Sequence, residues 1–200
     1  MVSEYHLTVM QLVSQATARY GFAIGGGYAL VVHGITQRPT KDIDAYVNSF
    51  DTDIFQQAEH SLRDALVLHG FEVQTTRSMD WFRGFDVTHP TTGEVVSVDL
   101  AQDYRAHTPR PTDQGIIVLD LHDVVVGKLG AFMDRAAPRD YSDIDSLITA
   151  GWSVHGLQLI AAELRPDIPP TTFTVRLSQA AQLPPGDFTE RLRYVGYPAE

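Results

Sequence analysis

Several features are absent from the sequence, and each absence excludes a class of protein. There is no cysteine, so disulfide bonds and thiolate metal sites are excluded. No apolar run reaches the ~18 residues that a membrane span needs. Positive charge is scarce: 15 Lys and Arg stand against 25 Asp and Glu, and the net charge of −10 argues against general binding to nucleic acid. The N-terminus lacks the basic and apolar regions of a secretory signal. We therefore expect a cytoplasmic protein with no membrane partner.

The chain does contain a glycine turn followed by an acidic strand. Gly25–Gly27 follow the apolar run Phe22–Ile24, and Asp42-Ile43-Asp44 begins fifteen residues after the last glycine. Two aspartates separated by one residue on a strand point to the same face, so their oxygens can converge on a hard cation such as Mg²⁺. The glycines allow the backbone to approach a phosphate closely. Each feature alone is common in turns and strands, but the combination predicts a metal and nucleotide site.

This combination resembles the signature of the DNA polymerase beta nucleotidyltransferase superfamily, in which an apolar residue, two glycines and a spacer precede Asp-x-Asp. The spacer here is 14 residues, from Tyr28 to Lys41, which is slightly long. Within the superfamily the chain is more similar to the AbiEii-like toxin nucleotidyltransferases, which include the mycobacterial MenT toxins. Tyr28 departs from the small hydroxyl residue usual there. The matching positions are Gly26-Gly27, Ala29-Leu30, His33-Gly34, Arg38, Thr40 and Asp42-Ile43-Asp44.

A second block of the same family pattern lies in the C-terminal half. An apolar helical segment carries Lys128, and Arg139-Asp140-Tyr141-Ser142-Asp143 follows it. The two blocks together cover roughly residues 22–150. The last fifty residues contain no recognised motif, and prolines from Pro166 to Pro185 punctuate them.

Strand patterns precede helix patterns along the chain, which predicts an α+β fold. The resemblance implies a nucleotidyltransferase-type mixed β-sheet with flanking helices, in a catalytic domain spanning residues 1–119. Residues 120–200 are expected to form a mainly helical C-terminal subdomain packed across the active-site cleft.

The resemblance also assigns roles to individual residues. Asp42 and Asp44 are expected to bind the metal together with Asp99, a third carboxylate that helps to deprotonate the attacking hydroxyl. Asp86 and Asp103 are weaker candidates for that third position. The expected catalytic set is Asp42, Asp44, Asp99, Lys128 and Asp140. The expected nucleotide-binding set is Gly26, Gly27, Arg38, Lys41, Lys128 and Asp143.

Lys128 stands inside an otherwise apolar helix, and a lysine is rarely buried without a partner. It either reaches the surface from the helix edge or, as the resemblance implies, contacts the β- or γ-phosphate of a nucleotide. Asp140 and Asp143 share a helix face, and Asp140 could instead cap that helix or pair with Arg139 or Lys128. The eight histidines show no zinc-site spacing, so no zinc site is expected.

The resemblance implies a metal-dependent transferase that uses Mg²⁺ or Mn²⁺ and a nucleoside triphosphate (NTP). The leading hypothesis is the toxin of a toxin–antitoxin pair, which transfers NMP to the 3′ acceptor end of tRNA, blocks aminoacylation and has a cognate antitoxin protein as partner. One alternative is an antibiotic nucleotidyltransferase acting on an aminoglycoside or lincosamide. Another is a nucleotide-binding module without catalysis, which the intact Asp42–Asp44 pair disfavours.

Overall fold

The computed structural model describes residues 3–38, 40 and 42–184. The chain divides into two compact units. The first consists of Met1–His33 and Gln37–Asp123, and the second of Gly34–Thr36 and Val124–Glu200.

The first unit is built on a mixed β-sheet. Among the described residues the sheet has seven strands in the order β3-β4-β5-β2-β1-β7-β6. The β1–β2 pair is antiparallel, whereas β2–β5 and β1–β7 are parallel. The strands are β1 Phe22–Ile24, β2 Asp42–Val47, β3 Glu72–Met79, β4 Phe82–Thr88, β5 Val95–Gln102, β6 Arg110–Pro111 and β7 Ile117–Val118.

Helices α1 (Glu4–Thr17) and α3 (Thr52–Leu68) pack on each other in the first unit, and the short helix α2 (Gly26–Val32) follows β1. Two of these helices begin at a side-chain cap, where Ser3 accepts from the amide of His6 and Asp51 from those of Asp53 and Ile54. A 3₁₀ turn, Ala18–Tyr20, links α1 to β1.

The alternation of buried and exposed residues along β2 positions the acidic residues. Ile43, Ala45 and Val47 are buried in the core, while Asp42 and Asp44 lie on the opposite, more accessible face. Because side chains on a strand alternate between faces, burial of the apolar set determines where the carboxylates point.

All regular elements among the described residues of the second unit are helices. Its core includes Phe132, whose ring packs edge-to-face against Tyr141 and Phe173. Arg176 Nη1 donates to the carbonyl of Phe132, at 2.9 Å. The helices are α4 Leu121–Asp134, which begins in the first unit, then α5 Pro138–Thr149, α6 Val154–Leu164 and α7 Thr171–Ser178, with a 3₁₀ turn at Gln179–Gln182.

The predicted α+β fold, with a mixed sheet and flanking helices, is confirmed. Helix α7 lies in the proline-punctuated tail, where the sequence predicted a mainly helical region over residues 120–200 but did not locate this helix. No helix in the described part of the chain is both long enough and apolar enough to cross a membrane.

Candidate active site

Three of the predicted acidic residues come together on β2 and β5. These neighbouring parallel strands place Asp44 directly opposite Asp99 and Asp42 opposite Ser97. Directly opposed residues project from the same face of a sheet, so the three carboxylates share one surface. Asp99 therefore lies beside the Asp42–Asp44 pair, the position that the resemblance required of a third carboxylate.

Strand β4 adds a fourth carboxylate to the same face. Asp86 lies opposite Ser97, whose Oγ donates a 2.9 Å hydrogen bond to Asp86 Oδ1. Two rows of residues thus run across the sheet, one from Asp42 through Ser97 to Asp86 and the other from Asp44 to Asp99. The weaker candidate Asp86 adjoins the acidic group, while Asp103 follows the far end of β5.

The glycine turn lies directly against Asp44. The amide of Gly25 donates to the Asp44 carbonyl at 2.8 Å. Gly26 has a φ of +57°, and a Cβ on it would stand 1.8 Å from Asp44 Oδ2. A Cβ on Gly27 would stand 3.1 Å from Thr40 Oγ1, the hydroxyl that donates to the carbonyl of Asp42 at 3.0 Å. Glycine at position 26 is therefore required both by backbone conformation and by the space beside the carboxylate.

An arginine that the sequence did not single out completes the second row. Arg77 on β3 lies opposite Gly84 on β4, which itself lies opposite Asp99. Since Gly84 has no side chain, Arg77 reaches across it, and its Nη2 lies 3.2 Å from Asp99 Oδ2. Its guanidinium also lies 4.6 Å from the centre of the Phe82 ring. The glycine inside β4 was a usable signal, because such a residue often marks a close approach of another group.

The electrostatics of Asp99 show how crowded with negative charge this face is. Burial raises the pKa of Asp99, Arg77 opposes that change, and the charges of Asp42 and Asp86 raise the pKa further. Mutual repulsion among converging carboxylates is relieved by a cation. Carboxylate oxygens are also the donors that Mg²⁺ and Mn²⁺ prefer. Asp42, Asp44 and Asp99 therefore fit a divalent cation by charge and by donor type.

The residues of the second predicted block are engaged inside the second unit. Lys128 Nζ lies 2.7 Å from Asp143 Oδ2, and this ion pair joins α4 to α5. The lysine side chain is 16% exposed and that of its partner 2%. Lys128 is therefore held in place by a buried counter-ion and does not extend freely from a helix edge.

Asp140 has a different environment from Asp143. Arg135 donates to Asp140 twice, from Nε to Oδ2 and from Nη2 to Oδ1, both at 2.9 Å. The amide of Ala137 also donates to Oδ2, at 2.9 Å. The side chain thus caps α5 and holds the α4–α5 connection. The sequence left Arg139 or Lys128 as its partner, but the structure supplies Arg135.

The remaining predicted residues are placed as follows. Arg38 is partly exposed in the first unit, and Lys41 lies outside the described residues. His33 ends α2, and its Nε2 contacts the Leu119 carbonyl at 2.8 Å. Arg105, which forms a basic cluster with His107 and Arg110 in the sequence, donates from Nη2 to the Gly21 carbonyl at 2.8 Å, so this guanidinium supports the fold.

Comparison with known families decides the assignment. Residues 9–193 match the sequence model of a family described as nucleotidyl transferase AbiEii toxin, type IV TA system. The chain belongs to this family. An AbiEii nucleotidyltransferase is a transferase that takes its nucleotide from an NTP, and a type IV toxin has an antitoxin as its partner. Comparison with curated proteins finds no match.

Solved structures share the fold of this AbiEii-family chain. JHP933 from Helicobacter pylori superposes with a TM-score of 0.56 at 18% identity, over 92% of this chain and 84% of that one. MenT4, a nucleotidyltransferase toxin from Mycobacterium tuberculosis, gives a TM-score of 0.51 at 16% identity, over 94% of this chain and 68% of its own. The antibiotic-resistance factor ANT(2'')-Ia gives a TM-score of 0.52 at 14% identity, over 82% and 92%.

Proposed function

We propose that this AbiEii-family toxin transfers NMP from an NTP to the 3′ acceptor end of tRNA and so blocks aminoacylation. The observation that carries the chemistry is the convergence of Asp42, Asp44 and Asp99 on one sheet face, with Gly26 directly against Asp44. These residues indicate a nucleotide donor but do not identify the acceptor. The tRNA acceptor is inferred from the family pattern alone. NTP and tRNA together place the reaction in the cytoplasm.

Asp42, Asp44 and Asp99 would hold Mg²⁺ or Mn²⁺. Such an ion stabilises negative charge on the attacking and leaving oxygens of an in-line displacement. Asp99 accepts the proton of the attacking hydroxyl. The hydroxyl oxygen bonds to the α-phosphorus, the bond from that phosphorus to the bridging oxygen breaks, and pyrophosphate leaves. Gly26 and Gly27 keep side chains away from the phosphates.

Arg77 positions Asp99 from the opposite side of Gly84. Its contact stabilises the ionised carboxylate against burial and against the neighbouring acids. On the family pattern, Lys128 contacts the β- or γ-phosphate, while Asp143 orients the ammonium group and Asp140 fixes the adjoining helix start. Arg38, Asp143 and Lys41 complete the proposed nucleotide-binding set.

A second function is transfer of NMP to a hydroxyl of an aminoglycoside or lincosamide. The shared fold with ANT(2'')-Ia favours it, and so does the net charge of −10, which suits a cationic drug. The family match favours the toxin. A module that binds nucleotide without catalysis is disfavoured, because all three carboxylates are present and adjacent.

The deciding experiment incubates the protein with total tRNA, Mg²⁺ and each labelled NTP in turn. Parallel reactions contain an aminoglycoside or a lincosamide, and Asp44→Asn is the matched control. The expected product is tRNA lengthened at its 3′ end, absent from the control reaction. Labelled drug with unlabelled tRNA would establish the second function. No transfer to any acceptor, with intact nucleotide binding, would favour the non-catalytic module.

A further inference from the structure

A second group of metal-ligating side chains lies in the first unit, apart from the three proposed carboxylate ligands. His107 belongs to the loop that follows β5, and His122 and Asp123 belong to the first turn of α4. Each can offer one ligand atom, and these atoms all lie within 4.8 Å of one another. Two imidazoles and one carboxylate thus converge from segments that are separated along the chain.

Asp123 is fixed by main-chain contacts. The residue is 7% exposed, Oδ1 accepts from the amide of Ala106, and Oδ2 accepts from the amide of His107, both at 2.9 Å. Each carboxylate oxygen has two lone pairs, so Oδ2 retains one after this contact. Arg105 Nη2 donates to the Gly21 carbonyl, and the charge of Asp123 opposes the lowering of the Arg105 pKa by burial, so this cation also acts on the carboxylate. The buried carboxylate is therefore preorganised and keeps acceptor capacity.

The two imidazole rings are spaced as two ligands of one ion would be. The ring centres of His107 and His122 are 5.0 Å apart, with an angle of 57° between planes. Two imidazoles bound at a Zn–N distance of about 2.0–2.1 Å around a tetrahedral ion have centres about 5 Å apart. The distance between the ring centres is therefore compatible with two imidazoles that share one ion.

We propose that His107, His122 and Asp123 form a binding site for a divalent transition cation, with Zn²⁺ as the best-fitting ion, although the spacing of the histidines in the sequence predicted no zinc site. Imidazole nitrogen with one carboxylate oxygen suits zinc, whereas magnesium prefers oxygen ligands throughout. The site is thereby chemically distinct from the proposed ligand set of Asp42, Asp44 and Asp99. A bound ion would fasten the loop after β5 to the first turn of α4.

The competing interpretation needs no metal. His107 Nδ1 lies 3.2 Å from Asp123 Oδ1, which also describes an ordinary hydrogen bond or ion pair at the start of the helix. In that case His122 contributes only a ring contact, and its removal has no effect on cation binding. The role of His122 therefore separates the two interpretations.

The test is calorimetric titration of chelator-treated protein with Zn²⁺ in excess Mg²⁺. His107→Ala and His122→Ala are the test variants, and both replaced side chains are substantially exposed. His60→Ala is the matched control, because His60 is an exposed histidine on α3 whose Nδ1 contacts a helix carbonyl. Circular dichroism verifies that each variant is folded. The visible spectrum of the Co²⁺-loaded protein provides a second readout of nitrogen ligation.

The wild type and His60→Ala should bind one Zn²⁺ per chain. His107→Ala and His122→Ala should each weaken binding by more than about tenfold, since even an outer partner of a ligand contributes that much. Asp44→Asn should bind zinc normally. Undiminished binding by both test variants, or loss of binding in Asp44→Asn, would place the ion elsewhere and overturn the proposal. The absence of stoichiometric binding would overturn it as well. None of these outcomes depends on nucleotide transfer.

Discussion

Arg77 forms an ion pair with Asp99 across a glycine, at 3.2 Å, from the outermost strand of the sheet. The arginine side chain is 62% exposed and the aspartate side chain 26%, so the arginine approaches the acidic face from the solvent side. This contact stabilises the charged form of Asp99 at a position where burial and two other carboxylates oppose it.

Replacement of Arg77 by alanine should change metal binding with opposite signs at two pH values. Without the guanidinium the pKa of Asp99 rises further, so more of the carboxyl is protonated in mildly acidic solution and Mn²⁺ binds more weakly than in the wild type. Above that pKa the carboxylate is ionised in both proteins, and the loss of a positive charge strengthens binding. Mn²⁺ titration across pH 5–8 measures both effects; weaker binding at all pH values would contradict this role.

Gly26→Ala should abolish nucleotide transfer. The added methyl group would stand 1.8 Å from Asp44 Oδ2 and must displace the carboxylate or the turn. Gly93→Ala is the matched control, because Gly93 also has a positive φ, +71°, but has nothing within 4 Å of its Cβ position. Both variants should lose about 1–2 kcal/mol from backbone strain, and only Gly26→Ala should lose activity. Thermal melts with transfer assays compare the pair.

Asp42→Asn should reduce transfer by more than about a hundredfold, since even an outer partner of a metal ligand contributes 10- to 100-fold. The fold should be retained, because the substitution removes a charge that acts against the ionised form of Asp99. Asp42→Ala should behave alike. Wild-type transfer by either variant would remove Asp42 from the site.

Lys128→Met should lose both stability and activity, and a second substitution should separate the two losses. The single variant leaves Asp143 buried without its ammonium partner, a change that costs up to about 3–5 kcal/mol. Adding Asp143→Asn removes the negative charge and should recover much of this stability. Transfer should stay about 10²–10³-fold low if the ammonium stabilises phosphate charge. Recovery of activity in the double variant would show that Lys128 is structural.

Lys128→Arg keeps the positive charge but changes its shape, and so tests whether the proposed phosphate contact needs a compact ammonium group. A planar guanidinium places its charge differently from a compact ammonium, so this variant should not restore full transfer. Chemical denaturation measured beside the transfer assay distinguishes a misplaced charge from a disrupted α4–α5 pair.

Negative charge at Thr40 should silence the enzyme. The hydroxyl donates to the Asp42 carbonyl at 3.0 Å and lies beside Gly27, so it stands between the glycine turn and the acidic strand. A phosphate there would add about −1.5 to −2 charge and compete with the triphosphate for the cation. Thr40→Glu should therefore be much less active than Thr40→Val in transfer assays. Equal activity would show that charge at this position has no effect.

The sequence predicted those parts of the fold that depend on local patterns. A capping residue at Asp51 and a glycine at position 70 predict a helix between them, and the structure confirms it as α3, since both signals act within one turn of the helix end. The residues after the glycines predict a short helix from Tyr28 to about His33. The helix in fact begins at Gly26, because glycines lower helix propensity and so give no signal of a helix start. Helix α7 was missed because prolines surround it.

The site was less accessible to sequence reasoning because its contacts are non-local. Period-two alternation put Asp42 and Asp44 on one face, but no turn joins β2 directly to β5, so the Asp44–Asp99 register could not be derived from spacing. The position of Arg77 opposite Gly84 depends on an irregularity in the β3–β4 register between Thr75 and Arg77, which the sequence does not reveal. Likewise, the partners Lys128–Asp143 and Arg135–Asp140 were determined by how α4 and α5 pack.

The pairing of β2 with β5 also affects when the chain can become harmful during its synthesis. Asp44 leaves the ribosome well before Asp99, its partner in the β2–β5 register, and β5 is complete only at Gln102. A slip of one residue between these strands would turn Asp99 to the other side of the sheet. On the proposed function, a nascent or misregistered chain would lack the complete set of carboxylates, and transfer should begin only once these distant segments have folded together.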